Sequence, residues 1–219
     1  MYKLIVFDLD GTLCNTLADL ANAMNYSLEK EGLRTHPLSA YNQFVGNGIN
    51  NLIKQVLLEK GNDEELCKKV KVNFDAYYPM HLCDCTKAYD GIEELLEKLR
   101  KLGVMTAVHS NKPHEYVPII LETLFKEHTF NIAWGKRECF ERKPSAQALI
   151  QMMSELGVSK DEVLYVGDSD VDVFTAHNGE VKVCGVEWGF RGKEELITAG
   201  ADFTAKDTNQ LLSIIKGIE

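Results

Sequence analysis

The first apolar run of the chain, Leu4-Ile5-Val6-Phe7, is followed at once by Asp8-Leu9-Asp10-Gly11-Thr12. Two carboxylates at a strand terminus can hold a metal ion, and an ionised one can attack phosphorus. Three later segments supply what that chemistry still lacks: Ser110-Asn111-Lys112, Arg142-Lys143-Pro144 and Gly167-Asp168-Ser169-Asp170-Val171-Asp172. A phosphate monoester is a dianion, so a carboxylate nucleophile needs help to approach it. A magnesium ion held by Asp8 and Asp168 offsets the repulsion. Attack by Asp8 then gives an aspartyl-phosphate, while Asp10 protonates the departing alkoxide and later deprotonates the attacking water.

The transferred oxygens need donors, and the Ser110 hydroxyl with the backbone N–H of Asn111 is suited to supply them. Lys143 adds a positive charge just ahead of an expected helix with Pro144 in its first turn. Asp172, four residues after Asp168, is placed to orient Lys143 or the waters of the metal. Gly11 permits a sharp bend beside the nucleophile, and Thr12 can cap the next helix or fix the aspartate loop against phosphate. Taken singly, each feature has a plainer reading. Asp10-Gly11 is a turn signal, Ser110-Asn111 can cap a helix from about residue 114, and a lysine before proline is usually a solvated charge. The run from Asp168 to Asp172 resembles an acidic calcium loop but lacks the glycine and distal glutamate of an EF-hand. Their order, with three of them at strand ends, argues for one site.

The elements that must position these residues are legible in the periodicity. Short β-rich runs fall at residues 4–7, 104–108, 163–166 and 181–186, with 132–134 a weaker one. Ile92, Leu95, Leu96, Leu99 and Leu102 follow helical spacing, opened by Asp90 with Glu93 and closed by Gly103. Strand and helix alternate from residue 90 onward, which predicts an α/β fold: a doubly wound parallel sheet, Rossmann-like, whose ligands bind beyond the carboxyl ends of the strands. Residues 15–82 interrupt the alternation with three amphipathic patterns and no convincing strand. The expected organisation is therefore a core of residues 1–14 and 83–219 with a helical cap, 15–82, inserted after the first strand.

With 219 residues, 45% hydrophobic and 26% charged, the chain reads as an ordinary globular protein able to bury a sizeable core. A net charge of −9 gives no basic footprint for nucleic acid. The apolar run before Asp8 is too short for a signal peptide, and none elsewhere approaches membrane-spanning length, so the expected location is cytoplasmic, away from membranes. Six scattered cysteines suggest free thiols; Cys83-Asp84-Cys85 has no companion pair spaced for zinc. The expected partner is a small phosphorylated metabolite, with monomer and homodimer both open.

Asp8-Leu-Asp-Gly-Thr-Leu13, Ser110-Asn-Lys, Lys143-Pro and Gly167-Asp-Ser-x-x-Asp172 resemble, in order, the four motifs of the haloacid dehalogenase-like hydrolase superfamily. The resemblance implies Asp8 as nucleophile, Asp10 as acid/base, Ser110 and Lys143 on phosphate, and magnesium held by Asp8, Asp168 and the Asp10 carbonyl. It also implies that the insert is a mobile cap. Residues 17–24, Phe44-Val-Gly-Asn-Gly48, Ser110-Asn-Lys-Pro113 and residues 185–191 are similar to the phosphoglycolate phosphatase branch, which makes Gly46, Asn47 and Gly48 a substrate-facing loop. Pyrophosphatases, sugar-phosphate phosphatases and phosphomutases carry similar strings, and a non-catalytic phospho-ligand module would keep the fold. Asp10 argues against a dehalogenase, which does without that acid. The chain's length and insert argue against a receiver-type signalling domain. His109 and Cys14 depart from the pattern, where an apolar and an acidic residue are expected; His109 reads as a satisfied strand-end histidine.

Overall fold

The computed structural model describes residues 1–126, 128 and 130–218. The chain divides into two compact units, Met1–Cys14 with Ala88–Glu219, and Asn15–Lys87. In chain order the elements are β1 (Leu4–Phe7), β2 (Cys14–Asn15), α1 (Leu17–Lys30), α2 (Leu38–Phe44), α3 (Ile49–Leu57), α4 (Glu64–Tyr77), β3 (Lys87–Ala88), α5 (Ile92–Lys101) and β4 (Met105–Pro113). There follow α6 (Tyr116–Leu124), β5 (Ile132–Lys136), α7 (Gln147–Leu156), β6 (Val163–Gly167), α8 (Asp170–Asn178), β7 (Lys182–Val186), α9 (Lys193–Ala199), β8 (Phe203–Ala205) and α10 (Thr208–Lys216). Among the described residues no helix is long and apolar enough to cross a membrane.

The first unit is built on a six-stranded sheet of order β5-β4-β1-β6-β7-β8, its neighbouring strands parallel. The chain runs from β1 outward to β5, then returns to β6 on the other side of β1. Strand order thus reverses around β1, and the crevice of a doubly wound sheet opens at that reversal. The register aligns Phe7 with Val108 on one side and Val166 on the other, so Asp8, His109 and Gly167 emerge at the same level. The four residues of β1 are all buried. Alternation turns Leu4 and Val6 toward a cluster with Leu149 and Met152 of α7, Val173 and Ala176 of α8 and Leu196 of α9, leaving Ile5 and Phe7 for the opposite face.

Several local expectations change. Strand β4 continues past Val108 through Ser110, Asn111 and Lys112, so Ser110 and Asn111 extend a strand instead of capping a helix. These polar side chains tolerate a buried strand because each has a partner within the fold. Helix α5 is entered from Gly91 at φ 78°, with no side-chain cap, so Asp90 and Glu93 do not form the expected box. Helix α7 begins at Gln147, which places Pro144 before the helix rather than in its first turn; the chain turns first, with Ser145 N–H donating to the Arg142 carbonyl at 3.0 Å.

The second unit contains four α-helices where three patterns were visible. Helix α1 buries Leu17, Leu20, Ala21, Met24 and Leu28 along one stripe, and α3 buries Leu52, Ile53, Val56 and Leu57. The unforeseen α2 buries only Tyr41, too little to show a periodicity. Asp19, on the first turn of α1, is buried and closes the unit on itself. It accepts from the backbone N–H groups of Cys85 (2.9 Å) and Thr86 (2.8 Å) and from the Thr86 hydroxyl (2.7 Å). Asp19→Ala strands those donors and is expected to cost about 3 kcal/mol, seen as a lower urea midpoint at unchanged slope, with Asp19→Asn losing less. An unmoved midpoint for the alanine variant would show that the carboxylate contributes nothing there.

Candidate active site

Asp8 leaves β1 with its backbone N–H donating to the Val166 carbonyl at 2.8 Å, which fixes the residue between β1 and β6. Its Oδ1 lies 2.8 Å from the Lys143 ammonium, which also reaches Oδ1 of Asp172 at 2.7 Å. All three groups are buried, with exposures of 7%, 2% and 0% for Asp8, Lys143 and Asp172. Asp172 has a second task. Its other oxygen accepts from the backbone N–H (3.2 Å) and hydroxyl (2.7 Å) of Ser169 in the capping box that starts α8.

Asn111 anchors the other end of this lysine. Its amide oxygen accepts from the Lys143 backbone N–H at 2.8 Å, and its nitrogen donates to the Lys143 carbonyl at 3.2 Å. This reciprocal pair fastens the loop before α7 to β4. The Ser110 hydroxyl is buried and accepts from the Lys112 backbone N–H at 3.2 Å. Thr12 does not cap a helix, since α1 starts only at Leu17. Its carbonyl accepts from the Trp188 indole at 3.1 Å, and its hydroxyl is buried with no hydrogen-bond partner among the described residues. Gly46, Asn47 and Gly48 belong to the second unit, in the turn between α2 and α3, where both glycines adopt positive φ.

Lys112 was not singled out from the sequence. Its buried ammonium grips both oxygens of Asp10, at 3.0 and 3.1 Å. Nothing in the string Ser110-Asn111-Lys112 distinguishes such a lysine from a solvated one, because its partner lies far off in sequence, on the loop after β1.

Asp168 follows β6 and accepts the Phe190 backbone N–H at 2.7 Å. Backbone presses against it from two sides. A Cβ on Gly11 would stand 2.3 Å from its Oδ2, and one on Gly189 would stand 2.2 Å from its Cβ. Gly11 also holds φ 91°, so both space and conformation require glycine there. Ligand atoms of Asp8, Asp168 and Asp172 all lie within 4.8 Å of one another. Asp172 has both oxygens engaged by Lys143 and Ser169, leaving Asp8 and Asp168 as the carboxylates with oxygen to spare.

The electrostatics agree with a cation-binding role. Four carboxylates (Asp8, Asp10, Asp168, Asp172) face two ammonium groups, Lys112 and Lys143, and among the described residues no ion pair reaches Asp168. Burial pushes the Asp8 carboxyl up to about 7 against the opposing pull of Lys143. Burial, with Asp172 and Asp8 adding to it, drives Asp168 well above the usual carboxylate range. Burial also opposes the charge of Lys143, but Asp172 and Asp8 outweigh it and hold the ammonium well above its ordinary pKa. An all-oxygen donor set short of about two positive charges suits a hard divalent cation.

Behind Lys143 lies the Tyr165 ring, 5.9 Å from the ammonium, and the Tyr165 hydroxyl meets His109 Nδ1 at 3.2 Å. Burial, reinforced by Lys143, keeps the His109 ring well below its ordinary pKa and therefore neutral. An unfolded chain protonates His109 near pH ~6.5, before the folded one does. The stability that the neutral ring provides is thus complete above about that pH and is lost as pH falls below it. Relative to His109→Val, the wild-type protein is expected to lose stability between about pH 7 and pH 5, measured as urea midpoints. Parallel pH curves for the two proteins would show that His109 is not the group responsible.

Comparison with known proteins places this geometry. Residues 5–186 match the model of the haloacid dehalogenase-like hydrolases. A phosphoglycolate phosphatase from Haemophilus influenzae (strain 86-028NP) is 33% identical over 220 residues, 98% of each chain. A crystal structure from Lactobacillus delbrueckii subsp. bulgaricus superposes with a TM-score of 0.91 at 32% identity over 98% of each chain. That of a predicted phosphoglycolate phosphatase from Haemophilus somnus 129PT gives 0.89 at 30% identity over 97% of each. With a family model spanning most of its length and relatives alike from end to end, the chain belongs to the haloacid dehalogenase-like hydrolase family.

Proposed function

We propose that the protein is a magnesium-dependent phosphatase that hydrolyses a small phosphorylated metabolite, phosphoglycolate, through an aspartyl-phosphate. The pairing of Asp8 with Lys143 at 2.8 Å, beside Asp168 at the strand ends, carries this reading. The named phosphoglycolate phosphatases related along the whole chain support the substrate. A metabolite substrate and scattered cysteines that form no disulfide among the described residues fit a cytoplasmic enzyme.

Asp8 and Asp168, with the Asp10 carbonyl, would hold magnesium, which supplies the positive charge that lets a carboxylate approach a phosphate dianion. Lys143 holds Asp8 through one oxygen, leaving the other to attack phosphorus. As the ester bond breaks, Asp10 gives its proton to the departing oxygen. It then takes a proton from the water that hydrolyses the aspartyl-phosphate, and both carboxyl groups return to their starting state. The Ser110 hydroxyl and the Asn111 backbone N–H serve the phosphoryl oxygens, with Thr12 beside them, and Asp172 keeps Lys143 in place. The inserted unit supplies selectivity through Gly46, Asn47 and Gly48, because groups that bind only phosphate cannot tell one ester from another.

Turnover is expected to vanish in EDTA and return with magnesium, with calcium a poor substitute because it accepts more ligands at longer distances. Asp8→Asn is expected to be folded and inactive, since an amide does not attack phosphorus. Undiminished hydrolysis in chelator, or by folded Asp8→Asn, would remove this mechanism. Replacing Asn47 should change kcat/KM for phosphoglycolate, pyrophosphate and sugar phosphates unequally, and by more than it changes hydrolysis of a small aryl phosphate. Equal factors across that panel would make the turn purely structural.

A further inference from the structure

We propose that Lys112 is a positioning residue for proton transfer: its ammonium holds the two oxygens of Asp10 and so sets the direction in which that carboxyl meets the leaving group and the water. The inference rests on the phosphatase reading above and assigns a role to a residue outside its catalytic set.

The two site lysines are used differently. Lys143 takes one oxygen from each of two carboxylates, at 2.8 and 2.7 Å, whereas Lys112 takes both oxygens of one, at 3.0 and 3.1 Å. Contact with both oxygens restrains rotation of a carboxylate about its terminal torsion, which is otherwise broad. The Lys112 side chain is 1% exposed and that of Asp10 14%, so the anchor is inside while the carboxylate keeps an open side. Burying a lysine costs side-chain entropy and desolvation, which the two hydrogen bonds to Asp10 help offset.

The stem of Lys112 is itself fixed. Its backbone N–H donates to the Ser110 hydroxyl at 3.2 Å, and β5 passes so close that a Cβ on Gly135 would stand 2.4 Å from the Lys112 carbonyl. Pro113, the next residue, pairs with Lys136 of β5. The ammonium is therefore held from strands β4 and β5, while Asp10 sits on the loop after β1. In the reaction Lys112 keeps its protons. Asp10 gives one to the leaving oxygen and recovers one from water, and Lys112 maintains its orientation between the two transfers.

The test compares wild type, Lys112→Met, Lys112→Arg, Asp10→Asn and the double variant Asp10→Asn/Lys112→Met on phosphoglycolate and on an activated aryl phosphate, whose leaving group needs little protonation. Lys112→Met is expected to lower kcat on phosphoglycolate by about 10²-fold, within the range of lost proton transfer, with a much smaller change in KM and a smaller loss on the aryl ester. Lys112→Arg, which keeps the charge, should recover part of the rate. The double variant should be no slower than Asp10→Asn alone, because Lys112 acts through Asp10. Multiplying losses in the double variant, or equal losses on both esters, would overturn the proposal. Should Lys112→Met not fold, the double variant, which removes both charges together, still gives the comparison with Asp10→Asn. A folded wild type inactive on both esters would reject the phosphatase reading itself, whereas an active wild type with multiplying losses would reject only the role of Lys112.

Discussion

Of the two buried ammonium groups, that of Lys143 organises this site. Lys143 lies where solvation is lost, and it remains charged because Asp8 and Asp172 stand within hydrogen-bond distance of it. Removing either carboxylate would leave a buried charge partly uncompensated, which is far costlier than never having placed it there. The surroundings follow from this requirement. Asn111 clamps the lysine's backbone from β4, Tyr165 presents its ring from β6, and Asp172 arrives from the first turn of α8. Four separate stretches of chain are thereby tied to the end of β1.

The positive charge is shared out unevenly among the four carboxylates. Asp10 has its own lysine and Asp8 shares one, but among the described residues Asp168 receives only backbone, through the Phe190 N–H and the close approach of Gly11 and Gly189. A carboxylate cradled this way keeps a fixed position without having its charge cancelled. The segment from Trp188 to Phe190 does this from one side while Trp188 ties the loop carrying Thr12 from the other. The aromatic-glycine string there, visible in the sequence only through resemblance, has a physical reason: glycine is needed where the chain crosses the Asp168 side chain.

Residues whose placement depends on strand termini were legible, because a buried apolar run followed by a carboxylate points to one place in a parallel sheet. Asp8 and Asp168 are of that kind, and the structure sets both at the ends of strands flanking one another. Residues whose roles depend on distant partners were not. Lys112 meets Asp10 across 102 positions of sequence, and Asn111 meets Lys143 across 32. In both cases the letters suit a surface loop equally well. Local punctuation misled where backbone conformation outweighed side-chain preference: Gly91 at positive φ, not Asp90, opens α5, and the turn after Lys143 postpones α7 to Gln147. Helix α2 left no periodic trace because Tyr41 alone is buried.

The crowding of Asp8 and Asp168 also bears on how the protein can change. Burial, with Asp172 and Asp8 beside it, holds the Asp168 carboxyl above its ordinary range, so at neutral pH its charge costs the folded state stability that no ion pair among the described residues restores. Any cation that binds there and relieves the crowding would add its binding free energy to folding. Selection for a sturdier fold and selection for a working site therefore pull in opposite directions at Asp168. Gains in durability must come from residues that the chemistry does not touch.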